Sequence, residues 1–154
     1  MSDSRRRPFS TSDAIHPDLR SIARFLPTRP ITARNLAAVR WLAANLVRLS
    51  RSDAEVCTVG EITVRMHRPR AQTATPGPAI LWIHGGGFVM GTAAQDDAIC
   101  RRLAEHHGAI VVAVDYRLAP EHRYPAPLAD CHDALVWLAS RPEVDPERIV
   151  IAGA

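Results

Sequence analysis

The 154-residue sequence has little with which to build several familiar kinds of protein. No apolar run reaches the ~18 residues of a membrane span, so no transmembrane segment is expected. Cysteine occurs only at positions 57, 100 and 131, an odd number without a C-x-x-C pair. That argues against a disulfide framework and suits a reducing, cytoplasmic setting with ordinary buried thiols. The histidines fall into no ligand spacing such as H-E-x-x-H, so no metal is expected. Single-signed charge is also scarce. The net charge is +3, and the arginines are spread along the chain rather than clustered, which excludes the usual nucleic-acid footprint. The one dense run, Arg5-Arg6-Arg7, precedes a polar stretch broken at Pro17 instead of the apolar region of an export signal.

What is present is enough for a core. With 47% apolar and 23% charged residues, one globular domain is the expectation. Residues 1–11 read as a disordered leader. A helix is expected from Ser12 or Asp13, with Ile15, Leu19, Ile22 and Leu26 at helical spacing until Pro27. A second is expected from Thr32 to Leu49, with Leu36, Val39, Ala43, Leu46 and Val47 on one face and Arg34, Arg40 and Arg48 largely away from it. Two antiparallel strands follow, Val56–Val59 and Ile62–Met66, around a turn at Gly60-Glu61.

The densest signal is Ile80-Leu81-Trp82-Ile83-His84-Gly85-Gly86-Gly87-Phe88. An apolar run suited to a buried strand feeds into three glycines, each of which loses more backbone entropy on folding than any other residue. Such a cluster fits a sharp turn that leaves its N–H groups bare. A helix resumes near Ala93, where Thr92 and Gln95 have capping-box spacing, carries Ala98, Ile99 and Leu103 inward, and ends at Gly108. Ala109–Val114 reads as a strand, Asp115–Pro127 as a loop, Leu128–Ser140 as a helix and Arg148–Ala152 as a final strand. Strands and helices alternating in this way indicate an α/β fold with a doubly wound sheet. A glycine loop used only for close packing and a phosphate-binding loop are the competing readings, the latter disfavoured because G-x-G-x-x-G is absent.

Four segments together resemble the N-terminal half of the hormone-sensitive-lipase-like family of α/β-hydrolase esterases. They are His84-Gly85-Gly86-Gly87-Phe88, Asp115-Tyr116-Arg117-Leu118-Ala119-Pro120-Glu121-His122, Tyr124-Pro125-Ala126 and Asp145–Gly153. The resemblance covers roughly residues 55–154, and the helices before Val56 are similar to the family's lid by position alone. It implies an α/β-hydrolase fold, with 12–50 as lid helices and 51–154 as the N-terminal half of the core. It implies ester hydrolysis through a serine acyl-enzyme, without a cofactor, on a small acyl ester. Gly86 and Gly87 are the implied oxyanion donors, Gly85 sets the turn and His84 supports the loop. Asp115, Tyr116, Arg117 and Glu121 are the implied scaffold, and Arg117 and Glu121 have the charges to pair across the proline-stiffened loop.

The nucleophile is missing from these residues. In such enzymes the serine lies in a G-x-S-x-G elbow after a strand, with the acid and histidine further on. Gly153 matches the elbow's first glycine, and Ala154 stands where the family usually has an acidic residue. The serines at 2, 4, 10, 12, 21, 50, 52 and 140 lie in no such elbow, and Cys131-His132-Asp133 are neighbours pointing different ways. The 154 residues alone are therefore expected to be inactive, truncated just before the elbow. The alternative is a non-catalytic remnant or interaction protein whose last strand a partner covers.

Overall fold

The computed structural model describes residues 16–19, 31–32, 34–48, 52–71 and 75–154. The chain divides into two compact units, Met1–Thr32 and Ala33–Ala154. In the first, Pro17–Leu19 forms one 3-10 turn. The leader and the rest of the helix expected from Ser12 lie outside the described residues.

The second unit begins with helix α1, Leu36–Arg48. It starts later than Thr32 because its first helical bond runs from the Val39 N–H to the Asn35 carbonyl at 3.0 Å, which puts Asn35 at the favoured N-cap position. Leu36 is buried, but Leu46 is 60% exposed, against the expectation that it faces inward. Strands β1 (Glu55–Val59) and β2 (Ile62–His67) form the expected hairpin. Then come β3 (Gly77–Ile83), a 3-10 turn at Ala93–Asp96, helix α2 (Asp97–His107) and β4 (Ile110–Asp115). Helix α3 (Ala126–Ala139) and β5 (Val144–Gly153) complete the unit, the strand starting earlier than the apolar run at Arg148 suggests.

The sheet order is β1-β2-β4-β3-β5. β2 is antiparallel to β1 and β4, whereas β3 is parallel to both β4 and β5. β4 explains the layering. Its alternate residues point to opposite faces: Ile110, Val112 and Val114 join Leu81 and Met66 against Cys131, Ala134 and Leu138 of α3. Val111 and Ala113 join Trp82 against Ala93, Cys100 and Ala104 on the other side. The inward residues of α2 thus include Cys100 and Ala104, with Ile99 and Leu103 packed at the margin. Ala98, expected inside, is exposed, because the buried stripe runs through 97, 100 and 104. Gly108 ends α2 in the left-handed conformation, φ +60°.

Candidate active site

The carboxyl ends of β3, β4 and β5 lie at one edge of the sheet, since the three strands are parallel. Open α/β sheets place their sites at that edge. Here it gathers the glycine loop after Ile83, the loop after Asp115, and Gly153-Ala154.

The glycine loop needs its glycines. Gly86 has φ +128°, and a Cβ there would stand 2.0 Å from the Met90 carbonyl oxygen. Gly87 has φ +61° with open space around it, and Phe88 shares the left-handed region at φ +62°. The Val89 and Met90 N–H groups both donate to the Gly86 carbonyl at 3.2 Å, closing a tight turn. The N–H groups of Gly86 and Gly87 donate to no acceptor among the described residues. Ala154 packs against the loop's base. Its N–H donates to the Ile83 carbonyl at 3.2 Å, and its own carbonyl oxygen lies 3.1 Å from where a Gly85 Cβ would be.

Residues at and after the end of β4 hold this loop at its entrance, middle and exit. Tyr116 Oη donates to the His84 carbonyl at 2.7 Å, and its ring stacks on the imidazole at 4.1 Å. Burial pushes the Tyr116 phenol up to about 12, so it stays protonated and keeps donating. The Ala119 N–H donates to the Phe88 carbonyl at 2.8 Å. Asp115 Oδ1 accepts the Ala93 N–H at 2.9 Å, fixing the start of the next helical turn. Gln95 Oε1 accepts the Thr92 N–H at 3.4 Å, the return half of the expected capping box. His84 is buried, with Nδ1 2.9 Å from the Gly85 carbonyl oxygen and Nε2 without a partner among the described residues.

The expected pairing of Arg117 with Glu121 does not occur. Arg117 turns instead to Asp130 of α3, donating through Nε at 3.1 Å and Nη2 at 2.7 Å, with Nη1 to Glu61 at 2.5 Å. The Arg117 backbone N–H donates to the same carboxylate at 2.8 Å. Burial alone would raise the Asp130 carboxyl, but these bonds from Arg117 hold it below its ordinary value. Glu121 pairs with Arg40 of α1 at 2.9 and 3.0 Å. A loop residue's own neighbours are thus passed over for partners brought by other elements. Asp130 and Arg40 were both missed by sequence reasoning. Asp130 carried a signal, a polar residue on the helix face shared by Pro127, Ala134 and Leu138; so did Arg40, one turn from buried Leu36.

Around the loop, Phe88, Ala119, Tyr124, Pro127 and Leu128 line an apolar hollow of about 250 Å³. Among the described residues no group of His, Cys, Asp and Glu could hold a metal ion. No described helix is long and apolar enough to cross a membrane.

This arrangement is that of the α/β-hydrolase fold. Residues 80–154 match the family described as alpha/beta hydrolase fold. Among solved structures, an esterase of Pyrobaculum calidifontis superposes with TM-score 0.73 at 37% identity, covering 90% of this chain and 48% of that one. A bacterial heroin esterase superposes with TM-score 0.76 at 32% identity, covering 94% and 50%. Arylacetamide deacetylase-like 3 of Homo sapiens is 39% identical over 97 residues, 61% of this chain and 24% of its own length. Esterase LipI of Mycobacterium tuberculosis is 44% identical over 98 residues, 61% of this chain and 31% of its own. The chain is therefore related to the hormone-sensitive-lipase-like esterases. It spans about half the length of the solved structures and aligns with a quarter to a third of these curated relatives.

Proposed function

We propose that these residues form the oxyanion side of a carboxylic-ester hydrolase acting through a serine acyl-enzyme. The observation that carries the reading is the pair of bare N–H groups at Gly86 and Gly87, held in a strained turn beside the end of β5. When a nucleophile attacks an ester carbonyl, negative charge gathers on the carbonyl oxygen. Fixed donors aimed at that oxygen stabilise the tetrahedral intermediate, each by roughly 2.7–4 kcal/mol. Gly86 and Gly87 are the donors; Gly85 and His84 shape the loop; Asp115 and Tyr116 brace it, and Arg117 and Glu121 belong to the wider scaffold of the site. The apolar hollow beside Phe88 suits a small acyl ester. Helix α1 serves as part of a lid, and no cofactor takes part. The buried Cys100 and Cys131 thiols, pushed up by burial to about 12 and about 11, are inert and suit the cytoplasm.

The serine belongs in a G-x-S-x-G elbow, which residues 1–154 do not contain. A polypeptide of these residues alone should hydrolyse a short p-nitrophenyl ester no faster than buffer. The test takes the product from its source cells, captured through this region, and measures its mass, its labelling by a fluorophosphonate and its esterase rate. A species above 16.9 kDa that labels and loses activity on labelling is the expected result. A larger product that neither labels nor hydrolyses esters overturns the reading.

A further inference from the structure

Helix α1 reaches the glycine loop through one guanidinium. Arg40 Nε donates to the Val89 carbonyl at 2.7 Å, Nη1 donates to both Glu121 oxygens at 3.0 and 2.9 Å, and Nη2 donates to the Ala119 carbonyl. These targets are not independent. Val89 lies in the turn closed on the Gly86 carbonyl, and the Ala119 N–H donates to the carbonyl of Phe88, one residue earlier. The contacts therefore form a closed ring: Phe88 to the Ala119 peptide, Ala119 to the guanidinium, and the guanidinium back to Val89.

The turn inside that ring needs outside support. Gly86, Gly87 and Phe88 have successive positive φ angles of 128°, 61° and 62°, and Phe88 carries a side chain that disfavours this region. Such backbone persists only where its surroundings over-determine it. The Ala119 N–H fixes the Phe88 carbonyl, and Arg40 fixes the next one.

We propose that Arg40 is a positioning residue through which helix α1 locks the Gly86–Met90 turn with the Gly86 and Gly87 N–H groups bare. The catalytic consequence rests on the ester-hydrolase reading above; the structural one does not. Docking of α1 and the setting of the oxyanion loop become one event, because withdrawing the helix withdraws the fork. A planar fork is required, since three nitrogens must reach two carbonyls and a carboxylate in different directions, which a lysine ammonium cannot do. Glu121 fixes the outer edge of the fork, and its carboxyl, held below its ordinary value by the bond from Arg40, remains charged to do so.

The test uses the protein as its source cells make it, with Arg40→Ala, Arg40→Lys and Glu121→Gln variants. The readouts are amide exchange over residues 84–92 and steady-state hydrolysis of a short p-nitrophenyl ester. Arg40→Ala should speed exchange at Val89 and Met90 while leaving β4 unchanged. It should also lower kcat about 10- to 100-fold with KM within about twofold, as expected for misplaced transition-state donors. Arg40→Lys should keep the pairing with Glu121 and the melting temperature yet recover little of kcat. Glu121→Gln, which keeps an acceptor, should lose less than Arg40→Ala. Unchanged exchange over 84–92 in Arg40→Ala overturns the proposal whatever the activity, and so does wild-type kcat in Arg40→Lys. If the wild-type protein hydrolyses no ester, the ester-hydrolase reading fails by itself, and the exchange result alone decides whether Arg40 holds the turn.

Discussion

Tyr116 holds His84 twice, by a 2.7 Å hydrogen bond from its phenol to the His84 carbonyl and by ring stacking at 4.1 Å with an interplanar angle of 10°. The residue opening the glycine loop is thus fixed both along its backbone and across its side chain. Tyr116→Phe keeps the stack and removes the bond, leaving a buried carbonyl unpaired. A loss of about 1–3 kcal/mol in unfolding free energy is expected by urea titration. A loss below a few tenths would mean that the bond contributes nothing.

Gly86 and Gly87 should respond very differently to alanine. At Gly86 the new Cβ meets the Met90 carbonyl oxygen at 2.0 Å, and φ is +128°. Gly86→Ala should therefore disrupt the turn and sharply lower the thermal midpoint. At Gly87 nothing lies within 4 Å, and φ is +61°. Only the left-handed penalty of roughly 1–2 kcal/mol remains. Thermal melts of the two variants side by side check the contrast, and equal midpoints would remove the steric account.

Much of this was legible in the sequence. The hairpin at Gly60, the strand feeding the glycines, the αL end of α2 at Gly108 and the αβ alternation all follow from local chemistry. Gly108 illustrates why: its φ of +60° is one that glycine adopts at no steric cost. The choice of charged partners was not legible. Arg117 stands four residues from Glu121, yet takes Asp130 from α3 and Glu61 from the β1–β2 turn. Glu121 takes Arg40, 81 residues away in the chain. Partner choice depends on which elements the tertiary fold brings close, and spacing along a loop does not encode that. The outward turn of Ala98 has a similar origin, since alanine suits either face and only packing against the sheet decides.

The two carboxylates around Arg117 should not count equally. Asp130 is nearly buried and accepts from both the backbone and the guanidinium, whereas the Glu61 side chain is 78% exposed. Asp130→Ala strips the Arg117 N–H of its acceptor, and about 1.5–3 kcal/mol of stability should go with it. Glu61→Gln breaks an exposed pair, and a change of at most about 1 kcal/mol is expected. Chemical denaturation of both variants decides the matter. The reverse order would mean that burial is not what makes the Asp130 contact strong.

Acid should weaken the fold through His67 before it reaches the carboxylates. His67 is 1% exposed, with Nε2 3.1 Å from Asp97 Oδ1 and Nδ1 without a partner among the described residues. An ionised carboxylate only accepts, so Nε2 carries the hydrogen and a second proton would have to sit on the enclosed Nδ1. Burial pushes the His67 pKa below 6.5, and the nearby Arg65 adds to this, together outweighing the attraction of Asp97. Burial alone would raise the Asp97 carboxyl, but the Arg65 fork at 2.8 and 2.5 Å outweighs it and holds it below 3.8. Both folded values are therefore depressed. Below pH 6.5 the unfolded chain takes up a proton at His67 that the folded chain refuses. The stability held above that pH is lost as pH falls toward the folded value, by at most about 1.4 kcal/mol per unit. The loss through Asp97 comes lower, as pH falls from about 3.8 through its folded value. Urea midpoints should thus decline below pH 6.5 in the wild type, and His67→Gln should flatten that first decline while keeping the one near and below pH 4. Parallel curves for the two proteins between pH 6.5 and 5 would show that His67 is not the group that titrates there.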